Sequence, residues 1–163
     1  MYRGLKIFVN SFISSCFNFA ESYHPLMLLT DTRALAAMRQ VPAAAAFPIY
    51  LHNGFDLQRF TGYIASRPDF VVQDHHSYFV FTSSDNEESA SDHTDDIRGP
   101  ILGTLQRASD QDRRNLIIGE WSCALTPKSL ANEPDPLQAQ REFCTAQLEM
   151  YTNTTAGWSF WCT

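Results

Sequence analysis

Four short apolar runs punctuate the chain, "FPIYLHN", "FVVQDHHSYFVF", "NLIIGEW" and "AGWSFW", and apolar residues at helical spacing fill the stretches between them. Strand and helix in strict succession point to a parallel sheet, because parallel neighbours cannot be joined by a tight hairpin and need a crossover segment. "TDTRALAAMRQV" places Leu35 and Met38 three apart, with Thr30 or Asp31 as N-cap and Pro42 as the stop. "DLQRFTGYIASRP" does the same with Leu57, Phe60 and Ile64 ahead of Pro68. Ile97, Ile101, Leu102 and Leu105 outline a further helix, interrupted near its start by Gly99 and Pro100. The clearest helical signal is "DPLQAQREFCTAQLEMY", with Asp135 as N-cap, Pro136 at the first helical position and Phe143, Ala146 and Met150 along one face. "TSSDNEESASDHTDD" is polar and acidic and is expected to be a solvated loop that adds nothing to the core.

The chain of 163 residues is 44% hydrophobic and 13% aromatic, which is enough to bury a core and excludes wholesale disorder. A net charge of -6 argues against nucleic acid and anionic membrane surfaces, both of which need a positive field. No stretch approaches the roughly 18 uninterrupted apolar residues of a transmembrane helix. Cys16, Cys123, Cys144 and Cys162 lack C-x-x-C spacing; they permit disulfides without dictating a pairing. Residues 1–27 are an unassigned segment. "MYRGLK" precedes "IFVNSFISSCFNFA", which has the length of a signal peptide's apolar region but is broken by Asn10, Ser11, Ser14, Ser15 and Asn18, so it is not a convincing signal peptide.

Polar residues collect where the strands end: His52 and Asn53 on the first, Asp74, His75, His76 and Tyr78 on the second, Glu120 on the third, and the aromatic Trp161 on the last. In α/β barrels that end carries the active site. Glu120 follows an apolar run that a parallel sheet covers on both faces, so its charge has to be paired or functional. A period of two places Asp74, His76 and Tyr78 on one face and His75 and Ser77 on the other, and a His beside a Tyr can hold a carboxylate ionised and oriented. The same "DHH" also occurs in metal phosphoesterases, where Asp74, His75, His76 and His93 would bind a divalent ion. Adjacent strand histidines point to opposite faces, and no second acidic strand-end motif accompanies them, so no metal and no cofactor are assigned. Trp121, Trp158, Trp161, Phe55, Phe79 and Phe81 suit a core, but aromatics at a strand-end rim also stack on the apolar faces of sugars.

"FPIYLHNGF", "VVQDHHSYFVF", "LIIGEWSCALT" and "GWSFW" together resemble the second half of a fungal exo-β-1,3-glucanase of glycoside hydrolase family 5. The resemblance implies an α/β fold, the C-terminal half (about strands five to eight) of a (β/α)8 barrel, with residues 28–163 as the partial barrel. It implies Glu120 as the nucleophile of a retaining mechanism on β-glucan, and His76, Tyr78, Phe81, Trp161 and Asn53 as substrate-binding residues. An extracellular location is implied in the same way. The family's acid/base Asn-Glu-Pro lies upstream of everything matched. The "NEP" at Asn132, Glu133 and Pro134 follows the nucleophile in a proline-rich loop and is rejected for that role. The alternative expectation is a non-catalytic carbohydrate-binding product.

Asn153 in "NTT", expected in a polar turn before the last strand, is the candidate glycosylation acceptor. Four strands leave two free edges, which predicts self-association unless Phe8, Phe12, Phe17 and Phe19 of the N-terminal segment cover the open face.

Overall fold

The computed structural model describes residues 20–162. The signal-like stretch, its phenylalanines and Cys16 lie outside the described residues.

Helix α1 (Ala20–Arg39) leads to strand β1 (Ile49–His52), and α2 (Thr61–Ser66) to β2 (Val71–Ser77). The short helices α3 (Ser83–Glu87) and α4 (Ala90–Asp96), a π-type turn at Ile97–Ile101 and α5 (Leu102–Gln111) then lead to β3 (Leu116–Trp121). The last elements are α6 (Pro127–Leu130), α7 (Pro136–Thr154) and β4 (Trp158–Phe160). The strands form one sheet in the order β1-β2-β3-β4, and every neighbouring pair is parallel. The α/β alternation of the sequence is therefore the fold's own, and the architecture is compatible with half of a (β/α)8 barrel.

Helix packing covers one face of the sheet. Leu35, Ile49, Leu51, Phe60, Ile64 and Val71 form one buried cluster. Leu116, Ile118 and Trp121 pack with Phe143, Ala146, Met150 and Tyr151 of α7 in another. The face of α7 picked out by Phe143, Ala146 and Met150 is thus the buried one, and burying a side chain the size of Phe143 contributes about 1.5–3 kcal/mol. Gln73 is fully buried yet satisfied: its amide donates to Leu57 O and its Oε1 accepts from Phe60 N, tying β2 to the turn before α2. Cys123, just beyond β3, is disulfide-bonded to Cys144 of α7.

Five local expectations are corrected. Helix α1 does not begin at Thr30 or Asp31: it already runs from Ala20, the first described residue, through "AESYHPLMLL", where Ala, Glu, Leu and Met favour the helix. Helix α2 begins only at Thr61, because Asn53, Asp56 and Arg59 are first engaged in successive turns. Strand β2 ends at Ser77, short of Phe79–Phe81. The polar stretch after it is no loop: Thr82 and Ser89 each form a capping box, with Asp85 and Asp92 reaching back to the cap, and so start α3 and α4. Ala90, His93 and Thr94 of that stretch are buried, and α4 packs on α7. Finally, Asn153 lies in the last turn of α7 instead of in the turn beyond it.

Asp135 caps α7 through Gln138 N with Pro136 behind it, as the sequence implies. Glu133 lies in the loop before that cap and accepts from the backbone and hydroxyl of Ser91 at the start of α4.

Candidate active site

Strict alternation along β3 would send Glu120 and Trp121 to the faces opposite those they occupy. Leu116, Ile118 and Trp121 share one buried cluster, so an extra residue intervenes between Ile118 and Trp121. The ladders locate it: His75 pairs with Ile118 and the next residue, His76, pairs with Glu120. Gly119 is the residue left over, and this β-bulge turns Glu120 to the face away from the helices while Trp121 stays in the core. Gly119 has no alternative there, because a Cβ at that position would stand 1.9 Å from Asp74 Oδ1.

Glu120 meets two side chains from β2 and its extension. Tyr78 donates its hydroxyl to Glu120 Oε2 at 3.0 Å, and His76 Nδ1 lies 3.2 Å from the same oxygen. Burial and the hydrogen bond to Glu120 together push the Tyr78 phenol up to about 12, so it remains a donor at any physiological pH. His76 Nε2 faces Asp74 Oδ1 at 3.7 Å, an ion-pair separation longer than a hydrogen bond. Asp74, His76 and Tyr78 thus share a face, as the period of two requires. Ser77 points the other way, to the Tyr151 hydroxyl.

The end of β1 closes one side. The His52 ring packs edge-on to His76 with centroids 4.3 Å apart, and Phe55 lies against both. The turn that brings Phe55 there passes through left-handed backbone at Gly54 and Phe55, φ 59° and 67°, and strain at a non-glycine residue is tolerated only when its surroundings hold it. Asn53 is fully buried; its backbone donates to Asp74 O, and its Oδ1 accepts from Phe55 N and lies 3.1 Å from His75 Nδ1. Burial, reinforced by the neighbouring histidines, lowers His52 and His75 to about 4, so both rings are neutral at pH 7.

Around this centre the expected rim residues differ. Phe81 is exposed with its ring 5.5 Å from Tyr78. Trp161 is exposed and tied to the strand beside Glu120, its backbone N–H donating to Trp121 O. His93 is elsewhere: it is buried between Phe79 and Phe143 and paired with Glu88 and Asp85 O. That separation removes it from the "DHH" group, and among the described residues no three His, Cys, Asp or Glu side chains converge as a metal set. The sequence placed Asp74 on the face of His76 and Tyr78 without giving it a role, and His52 only among the polar strand-end residues. The spacing of Asp74 to His76 and the glycine before Glu120 were the signals that link them to the carboxylate.

A groove of about 520 Å³ lined by Arg39, Tyr63, Arg67 and Asp69 opens near the start of β2, at the opposite end of the sheet. Its arginines are already bonded to Asp69 and to backbone carbonyls, so the carboxylate end remains the better site.

No family model matches the chain. It is similar to two curated proteins that act on glucan by name. Glucan 1,3-beta-glucosidase 3 of Schizosaccharomyces pombe is 30% identical over 116 residues, 70% of this chain and 24% of that protein. Glucan 1,3-beta-glucosidase 2 of Candida albicans is 26% identical over 125 residues, 56% of this chain and 25% of that protein. The chain spans about a quarter of the length of these relatives.

Proposed function

We propose that this chain is about strands five to eight of the (β/α)8 barrel of a retaining β-1,3-glucan hydrolase of glycoside hydrolase family 5, with Glu120 as nucleophile. The observation that carries the reading is the bulge at Gly119, which presents Glu120 to Tyr78 and His76 on the open face of the sheet. Both contacts are to Oε2. Oε1 then attacks the anomeric carbon, the bond from that carbon to the leaving oxygen breaks, and the departing oxygen takes a proton from a second carboxyl roughly 5–5.5 Å away. Glu133, bonded to Ser91, is not that acid, and the missing strands would bring it. Phe81 and Trp161 offer faces on which a glucose ring can stack, with Asn53 holding the β1 turn behind them. Sugar binding without chemistry is the second reading, favoured by the exposure of Trp158, Phe160 and Trp161 along β4.

The Cys123–Cys144 disulfide and the exposed Asn153 acceptor suit a secreted glycoprotein. The edges β1 and β4 are where the remaining strands, or a second copy, would pair.

The test avoids the missing acid. A dinitrophenyl 2-deoxy-2-fluoro-β-glucoside has a leaving group that needs no proton, so it should glycosylate the chain at Glu120 with release of dinitrophenolate, seen as a mass increase on the peptide containing "GEW" and absent from Glu120→Gln. An unlabelled Glu120, with laminarin still bound, would replace this reading with the binding one.

A further inference from the structure

We infer that Asp74 is the positioning residue of this site: its carboxylate fills the space beside Gly119, locks the β3 bulge that turns Glu120 inward, and aims the His76 ring at Glu120. Its use in catalysis rests on the reading of Glu120 proposed above; the geometry does not.

Three observations converge on Asp74. The Gly119 notch is filled by that one group, since an added Cβ would meet Oδ1 at 1.9 Å, Cγ at 2.7 Å and Oδ2 at 3.0 Å. A bulge held only by its ladder could shift by one residue and return Glu120 to the helix face; a buried side chain wedged against the extra residue prevents that slip. Second, Asp74 is buried, and its Oδ1 has no hydrogen bond. The His76 ring, 3.7 Å away, is an ion-pair partner that answers a buried carboxylate in that condition. Third, His76 presents one ring nitrogen to each carboxylate, Nδ1 to Glu120 and Nε2 to Asp74. A rotation of the ring that served one partner would abandon the other, and His52 against its face restricts the remaining freedom. Both nitrogens can donate at once only in the doubly protonated ring. Asp74 therefore acts on Glu120 through backbone and ring, without touching a substrate.

The experiment uses the 163-residue chain and three variants: Asp74→Asn, Gly119→Ala and the double variant Asp74→Ala/Gly119→Ala. Asp74→Asn keeps the shape and removes the charge. It should stay folded while the Tyr78 Cζ resonance and the His76 ring signals move, because the ring loses its second partner and the Tyr78–Glu120 bond lengthens. A purely structural role would change the melting temperature and leave those two signals in place. Gly119→Ala should melt at least about 10 °C lower or fail to fold, and emptying the notch in the double variant should recover most of that loss. Asp74→Asn with Tyr78 and His76 signals unmoved, or a double variant no better than Gly119→Ala, would overturn the inference. Failure of Glu120 to take the fluoroglucoside label would remove the hydrolase reading and leave these results standing.

Discussion

Two carboxylates flank β3, and they are treated in opposite ways. Glu120, at its C-terminal end, is 34% exposed and is met by Tyr78 and His76. Asp112, just before its N-terminal end, is fully buried, and neither of its oxygens has a hydrogen-bond partner. Burial alone pushes the Asp112 carboxyl up to about 7. A strongly shifted carboxyl is therefore not by itself a site for chemistry: desolvation perturbs a carboxyl wherever it is buried, whereas reactivity needs access and directed partners. Asp112 sits at the end of α5, where its backbone N–H bonds Ala108 O and its carbonyl accepts from Asn115 N. The next two residues, Arg113 and Arg114, take left-handed backbone, and the Arg113 guanidinium donates to carbonyls of α2 and its C-cap. That tight return leaves the Asp112 side chain inside.

The contrast can be broken most decisively at Asp112. Folding raises its carboxyl from 3.8 to about 7, so between those values the folded chain keeps a proton that the unfolded chain has released. Stability from this group is undiminished below the lower value, falls as the pH rises through the window and stays reduced above it. Asp112→Asn should therefore melt well above the parent at pH 8 and close to it near pH 4, with a flatter pH profile in between. Parallel melting curves for the two proteins would show that Asp112 is ionised and answered in the folded state.

Smaller effects are expected at the other end of the strand. Tyr78→Phe removes the hydroxyl that donates to Glu120 and should cost about 1 kcal/mol in denaturant unfolding, since the pair is partly solvated. A loss several times larger would mean that the carboxylate end is part of the core.

The smallest effect is predicted for Glu120→Gln. The amide oxygen can still accept from Tyr78, and the side chain is partly solvated, so stability should stay within about 0.5 kcal/mol of the parent. Urea midpoints at neutral pH measure this. A marked stabilisation would show that the charge of Glu120 is strained in the folded chain, which would sharpen its likeness to Asp112 instead of the contrast.

Much of the candidate site was legible because strand residues obey a simple period. "LIIGEW" ends an apolar run in a charge, and "DHHSY" sets Asp74, His76 and Tyr78 on one face; both patterns survive in the structure. The polar stretch after β2 misled because its composition outweighed its spacing. "TSSD" and "SASD" each have the capping residues of a helix start, and α4 then buries Ala90, His93 and Thr94, with His93 against Phe143 of α7, despite an almost wholly polar sequence. The pairing of Cys123 with Cys144 could not be read, since it depends on how α7 returns beside the end of β3.

By itself, the sequence determined the order of the four strands and the longer helices between them, the start of α7 at Asp135 and Pro136, and the identity of the carboxylate at the end of the third strand. These are local properties, set by apolar period and by caps that act within one turn. The tertiary structure decided which way that carboxylate points. Taken alone, the alternation of β3 sends Glu120 toward the helices. Only the bulge at Gly119, made by pairing with β2 and filled by Asp74, turns it to meet Tyr78 and His76. A register shift is a relation between two strands, and the same holds for the burial of Asp112: "SDQDRRN" looks like a solvated turn until α2, α5 and β3 close around it.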